Sequence, residues 1–214
     1  MRRILRCRFL TTYPSGKAQE KARRRELVYA VKNCRLVKFG NYTGRDGRSV
    51  ALEISQMRPE MAAYFHGALL VPVPTSGMGV DVAGDDLWSG RDLARLFAET
   101  YSARWQLLLD RLTPVEKSSR GQQRSLRRHV ESIEVTNRVP DGRIILVDDV
   151  VTTGSTMCAC AELLLRANAR AQVCGFAVAY VPGEGEVLRD FASREYEWDS
   201  LDDRPHNRLL DAER

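Results

Sequence analysis

The stretch from Arg143 to Val181 constrains the fold more than any other part of this 214-residue chain. Residues 143–150, RIILVDDV, carry an apolar, mostly β-branched run into two aspartates, the pattern of a buried strand. TTGST then leads into a helix predicted over 156–169, and AQVCGFAVAYV at 171–181 reads as a second buried strand. Strand, loop, helix and strand at this spacing form a βαβ unit, because a parallel return needs a crossover of a dozen or more residues. The expected class is therefore α/β: an open, mainly parallel sheet flanked by helices.

The remaining elements are placed around that unit. KAQEKARRRELVYAVKN at 17–33 predicts a helix with a short apolar strip at Leu27, Val28 and Val31. Residues 34–57 read as strand-like, broken by a turn at NYTGRDGRS. ALLVPVP at 68–74 suits a buried strand that ends at a loop, and TSGMGVDVAGDD continues as a glycine-rich loop. A helix follows over 89–103, with Ser89 as its expected cap and Leu93, Leu96 and Phe97 on one face. Residues 105–112 fit strand or helix, and 113–128 is a basic stretch without an apolar face. The last thirty residues hold no long apolar segment and read as a peripheral extension. Expected boundaries are a basic N-terminal segment or hood at 1–65, a core at 66–183 and an acidic extension at 184–214.

Charge is distributed unevenly. Residues 1–48 hold 14 Lys/Arg against 3 acidic groups, residues 49–183 hold 14 against 15, and residues 184–214 hold 5 against 10. A basic arm of this kind fits a nucleic acid or other polyanion, but charge alone names no partner, and a solvated surface that docks on the acidic tail or a neighbouring subunit is the preferred reading. Five cysteines with no Cys-x-x-Cys pair argue against a disulfide framework and a zinc ribbon, and point to core residues of a reduced, cytoplasmic protein. The longest uncharged run, Met61–Val80, is broken by His66, Pro72, Pro74 and glycines, so no membrane span or export signal is expected. Trp88 and Trp105 are expected in core or hood packing, and His129 at the surface.

The chemistry concentrates at 144–156. In an open α/β sheet, ligands bind beyond the carboxyl ends of the strands. Asp148 and Asp149 stand at such an end, where paired carboxylates accept hydrogen bonds from vicinal hydroxyls and hold a hydrated Mg²⁺. Thr152, Thr153, Gly154, Ser155 and Thr156 supply hydroxyls, a permissive glycine and a helix start, which together cradle a phosphate. Gly16-Lys17 does not satisfy the Walker A spacing, and no G-x-G-x-x-G follows a strand.

ILVDDVVTTGST resembles the phosphoribosyl-pyrophosphate (PRPP) binding motif of type I phosphoribosyltransferases. Val71-Pro72-Val73-Pro74, the helix from Gly90 to Glu99, the basic stretch Arg111–Arg128 and Leu146–Thr156 follow in the order of the ComF-like, competence-protein-associated branch. That branch's four-cysteine zinc module is missing, and Trp88-Ser89-Gly90-Arg91 stands where it commonly has Arg-Gly-Phe-Asn. The resemblance implies transfer of phosphoribose from PRPP to a nitrogenous base with release of pyrophosphate, assisted by Mg²⁺. It implies that Asp148 and Asp149 meet the ribose hydroxyls and Mg²⁺, and that Thr152–Thr156 hold the 5-phosphate. Pro74, Thr75, Ser76 and Gly77 would form the pyrophosphate loop, and Lys117, Arg120 and Arg124 would close over it. Members of the family commonly form homodimers, and some bind PRPP or nucleotides as regulators without turnover.

Overall fold

The computed structural model describes residues 2–13, 19–75, 88–113, 125–183, 186, 189–199 and 205–210. Nine strands run through these residues: β1 Arg3–Thr12, β2 Leu69–Pro72, β3 Arg104–Trp105, β4 Leu109–Arg111, β5 Ile133–Val135, β6 Gly142–Val151, β7 Ala171–Tyr180, β8 Ser193–Trp198 and β9 His206–Leu210. Six α-helices join them: α1 Gln19–Lys32, α2 Gly47–Gln56, α3 Pro59–Phe65, α4 Ser89–Thr100, α5 Leu126–Ser132 and α6 Ser155–Ala167.

Seven strands make one sheet in the order β3-β2-β6-β7-β1-β8-β9, and β4 pairs with β5 in a separate ribbon. The first five are parallel, while β8 and β9 join antiparallel beyond β1. The chain belongs to the expected class, a mainly parallel sheet flanked by helices. Successive strand residues alternate between two cores, as the pleat requires. Leu69, Val71, Ile144 and Leu146 meet α5, α6 and the β4–β5 ribbon, with Leu126, Cys158 and Leu164 opposite. Leu70, Ile145, Val147 and Phe176 meet the other face, covered by Val31, Val50, Phe65 and Phe97 of α1 to α4. Close contact of α6 with the sheet requires Gly175, where a Cβ would lie 2.5 Å from Cys7 Sγ and 2.6 Å from Met157 Sδ.

Three expectations are corrected. Residues 34–57 contain no strand: a short 3₁₀ turn at Gly40–Tyr42 precedes α2, whose N-cap Asp46 accepts the Ser49 amide at 3.0 Å. The alternation that reads as β is the buried face of a short helix carrying Val50 and Ala51. The tail is not peripheral. Its β8 pairs along β1, and Tyr196 and Trp198 are fully buried. Trp105 lies partly exposed on the edge strand β3, whereas Trp88 is buried and donates its indole N–H to Val73 O at 3.0 Å.

The charge gradient closes on itself. Arg2 pairs with Glu197, Arg6 with Glu195, and Arg24 with Asp190, so the basic N-terminus meets carboxylates of the acidic tail. Arg3 instead reaches the buried Glu162 of α6 at 2.7 Å, which also receives Arg166 and the Trp198 indole. Cys7, Cys158 and Cys160 are buried free thiols; burial pushes the Cys160 thiol up to about 12. Among the described residues, no helix is long and apolar enough to cross a membrane.

Candidate functional site

The order of strands creates the site. From β2 the chain crosses through α4 to β3, and from β6 it crosses through α6 to β7, in opposite directions and over opposite faces. The crevice between the carboxyl ends of β2 and β6 is thus a topological switch point, where no crossover covers the strand ends. Asp148 and Asp149 stand at the end of β6, and Pro74 and Thr75 follow β2 beside them.

The two carboxylates occupy contrasting settings. Asp148 accepts the Asp149 amide at 2.8 Å. Burial and the neighbouring Asp149 charge push its carboxyl well above the usual range, against the opposing pull of that N–H and of Lys32. Asp149 is held from across the crevice: Ser89 Oγ donates to its Oδ2 at 2.6 Å. Ser89 therefore does not cap α4; the N-cap is Trp88, with no side-chain hydrogen bond. The approach is close because residue 90 is glycine, where a Cβ would lie 3.2 Å from Val147 O. Arg48 of α2 bonds Asp46 and Asp92, fixing the first turn of α4 to the helical layer.

Next comes a turn into α6. Gly154 is its N-cap with φ +81°, a left-handed conformation that side chains resist. Here a Cβ would also lie 2.4 Å from the Tyr196 ring, so β8 of the tail packs directly against the loop. Thr153 Oγ1 and Ser155 Oγ are 3.0 Å apart, and Cys158 N donates to Gly154 O, starting the helix. Thr152 is exposed, and Thr153 and Thr156 are half-buried. Hydroxyls at the positive end of a 13-residue helix are groups of the kind that can bind an anion.

Pro74 and Thr75 are anchored from below. Arg111, fully buried at the end of β4, donates Nε to Thr75 O at 2.7 Å and Nη2 to Pro74 O at 3.4 Å. Its Nη1 donates to Ser132 Oγ at 2.8 Å. His129 is not at the surface: it is buried, with Nε2 3.3 Å from Thr156 Oγ1. Ser76, Gly77, Lys117, Arg120 and Arg124 lie outside the described residues.

The structure thus brings Asp148, Asp149, Thr152 to Thr156, Pro74 and Thr75 to one end of adjacent strands. Sequence reasoning took Ser89 for a cap, Arg111 for the start of the basic stretch and His129 for a surface residue, and did not single out Tyr196. For Arg111 a signal existed, since Asp110 and Arg111 interrupt the apolar run LLLDRL, where a buried arginine needs a partner. The roles of the other three depend on tertiary neighbours.

The fold and crevice are those of an open α/β protein with its ligand site at a switch point of the sheet. The phosphoribosyl transferase domain model matches residues 92–204, just over half of the chain. The chain belongs to the phosphoribosyl transferase domain family. Among solved structures it is similar to the orotate phosphoribosyltransferase of Aeropyrum pernix, at 23% identity and a TM-score of 0.34. That match covers 62% of this chain and 58% of the other, so the chain spans little more than half of that relative. It is also similar to the adenine phosphoribosyltransferase of Saccharomyces cerevisiae (14% identity, TM-score 0.37, covering 63% and 68%). A third is the purine phosphoribosyltransferase of Pyrococcus horikoshii (13%, 0.34, 66% and 92%). Family membership rests on the domain match. No curated protein matches the chain.

Proposed function

We propose that this protein binds PRPP across the crevice between β2 and β6 and transfers its phosphoribosyl group to a nitrogenous base. The bond from C1 of the ribose to the pyrophosphate oxygen breaks, a C1–N bond to the base forms, and pyrophosphate leaves with the bonding pair. A proton is lost from the base nitrogen. The observation that carries this reading is the placement of two carboxylates and a glycine-hinged, hydroxyl-rich helix start on one strand end at the switch point.

Each group has a task. Asp148 and Asp149 accept hydrogen bonds from the ribose 2′ and 3′ hydroxyls, and Ser89 keeps Asp149 aimed at them. Thr152 to Thr156 and the α6 terminus hold the 5-phosphate. The segment Pro74, Thr75, Ser76 and Gly77 receives the pyrophosphate, with Arg111 fixing its first two carbonyls. Lys117, Arg120 and Arg124 supply cations that offset the charge developing on the leaving group.

Two adjacent carboxylates, one with its ionisation suppressed by burial and by its neighbour's charge, suit a divalent cation that arrives with substrate phosphates. Asp148 and Asp149 would hold Mg²⁺, which screens pyrophosphate charge when bound. The order of the Pro72–Pro74 segment, α4, the basic stretch and the β6 motif supports a place near the ComF-like branch.

The test is pyrophosphate release from PRPP with Mg²⁺ across purine, pyrimidine and pyridine bases. Release with at least one base, abolished in the Asp148→Asn/Asp149→Asn double variant, supports transfer. PRPP binding without release from any base would instead make the protein a PRPP-binding regulator.

A further inference from the structure

β4 and α5 each reach one of the two phosphate loops. β4 ends at Arg111, whose guanidinium donates to the carbonyls of Thr75 and Pro74. α5 carries His129, whose Nε2 lies 3.3 Å from Thr156 Oγ1 at the start of α6. One side chain joins β4 to α5. Ser132 Oγ accepts from Arg111 Nη1 at 2.8 Å and donates to His129 O at 3.2 Å. A continuous path results: Thr75 carbonyl, Arg111, Ser132, His129 backbone and ring, Thr156 hydroxyl.

Its three central residues are buried, with relative exposures of 0% for Arg111, 5% for Ser132 and 7% for His129. Hydrogen bonds there are not exchanged with water, and the loss of any partner strands a polar group. The Ser132 hydroxyl uses its donor and acceptor capacity at once, so no hydrophobic residue of similar size replaces it.

We infer that the Arg111–Ser132–His129 path sets the spacing between the pyrophosphate loop and the 5-phosphate loop, making Ser132 and His129 positioning residues for a ligand that must engage both. The inference rests on the PRPP reading above. Its physical basis is preorganisation. A ligand carrying phosphates at both ends gains over its fragments only if the two subsites are already held at its own length. Neither residue is expected to touch the ligand.

The experiment compares a bridging ligand with its halves. Dissociation constants of PRPP, ribose 5-phosphate and pyrophosphate, all with Mg²⁺, are measured by calorimetry for wild type, Ser132→Ala, Ser132→Thr, His129→Ala and His129→Gln, with melting temperatures alongside. The expected result is a loss of about tenfold or more in PRPP affinity for Ser132→Ala and His129→Ala, with each fragment changed less than about twofold. Ser132→Thr and His129→Gln, which keep a hydroxyl and a polar nitrogen, recover most of the loss. Equal weakening of PRPP and its fragments would overturn the inference, as would unchanged PRPP affinity in both alanine variants. If wild type binds PRPP no better than ribose 5-phosphate, the spacing inference fails while the site reading stands; if it binds neither, both fail. Should a variant fail to fold, its Thr or Gln counterpart decides by the same comparison of PRPP with its fragments.

Discussion

At Gly154 two demands meet in one residue: a left-handed φ and the face of the Tyr196 ring. Gly142 has φ +96° with nothing within 4 Å of its would-be Cβ, so it shares the first demand and not the second. Gly142→Ala should therefore cost about 1–2 kcal/mol in denaturant unfolding, and Gly154→Ala clearly more, since the ring must also move. Equal costs would show that Tyr196 does not confine the loop. Asp148 is the other residue under tension. Its carboxyl pKa is raised in the folded state, so the folded form holds its proton to higher pH than the unfolded chain does. Stability from this group is present at low pH and lost as pH rises through the raised folded value. Asp148→Asn should raise the melting temperature by a few degrees at pH 8, with a smaller gain near pH 4, while abolishing PRPP binding. A melting temperature lowered at pH 8 would contradict the assignment. Asp148, Asp149 and the Thr152–Thr156 run were legible in sequence because their chemistry lies in one contiguous order. Ser89 was not: a serine before a helix reads as its cap, and only the packed α4 shows it turned toward Asp149.

Elements follow the same division. The strand–helix–strand unit β6-α6-β7 was legible because its strands are buried on both faces and read as apolar runs. α2 was not, because ten residues with Gly47 and three β-branched or small apolar positions carry little helical signal. Its start depends on the Asp46 cap, and Asp46→Ala should cost about 1 kcal/mol by the lost cap alone, with more from releasing Arg48. An unchanged unfolding midpoint would mean that α2 is held by packing only. β8 escaped notice for the opposite reason. Its charged residues mask the burial of Tyr196 and Trp198, while Glu195 pairs with Arg6 of β1 and Glu197 with Arg2 just before it. Cutting the chain after Arg189 should therefore yield insoluble or unfolded protein. A soluble product with the full-length melting temperature would return the tail to the periphery.

At the scale of the molecule, the lopsided charge of the sequence becomes an internal arrangement. The basic first strand and the acidic eighth lie side by side, so part of what reads as a polyanion-binding arm is occupied by the protein's own carboxylates. The crevice that holds Asp148 and Asp149 lies elsewhere, at the switch point between strands that leave in opposite directions. That position follows from strand order, which the sequence implied only through β6-α6-β7; the insertion of β2 beside β6 and of β1 beyond β7 arises from long-range pairing. Whether Asp148 and Asp149 hold the ribose of PRPP in that crevice, as proposed, is read most directly by calorimetric titration of PRPP with Mg²⁺. Wild type should bind saturably, and Asp148→Asn/Asp149→Asn should lose at least about 100-fold, since two charge-assisted hydrogen bonds are weakened together. Wild type that does not bind PRPP, or a folded double variant that binds it equally well, would contradict the proposal.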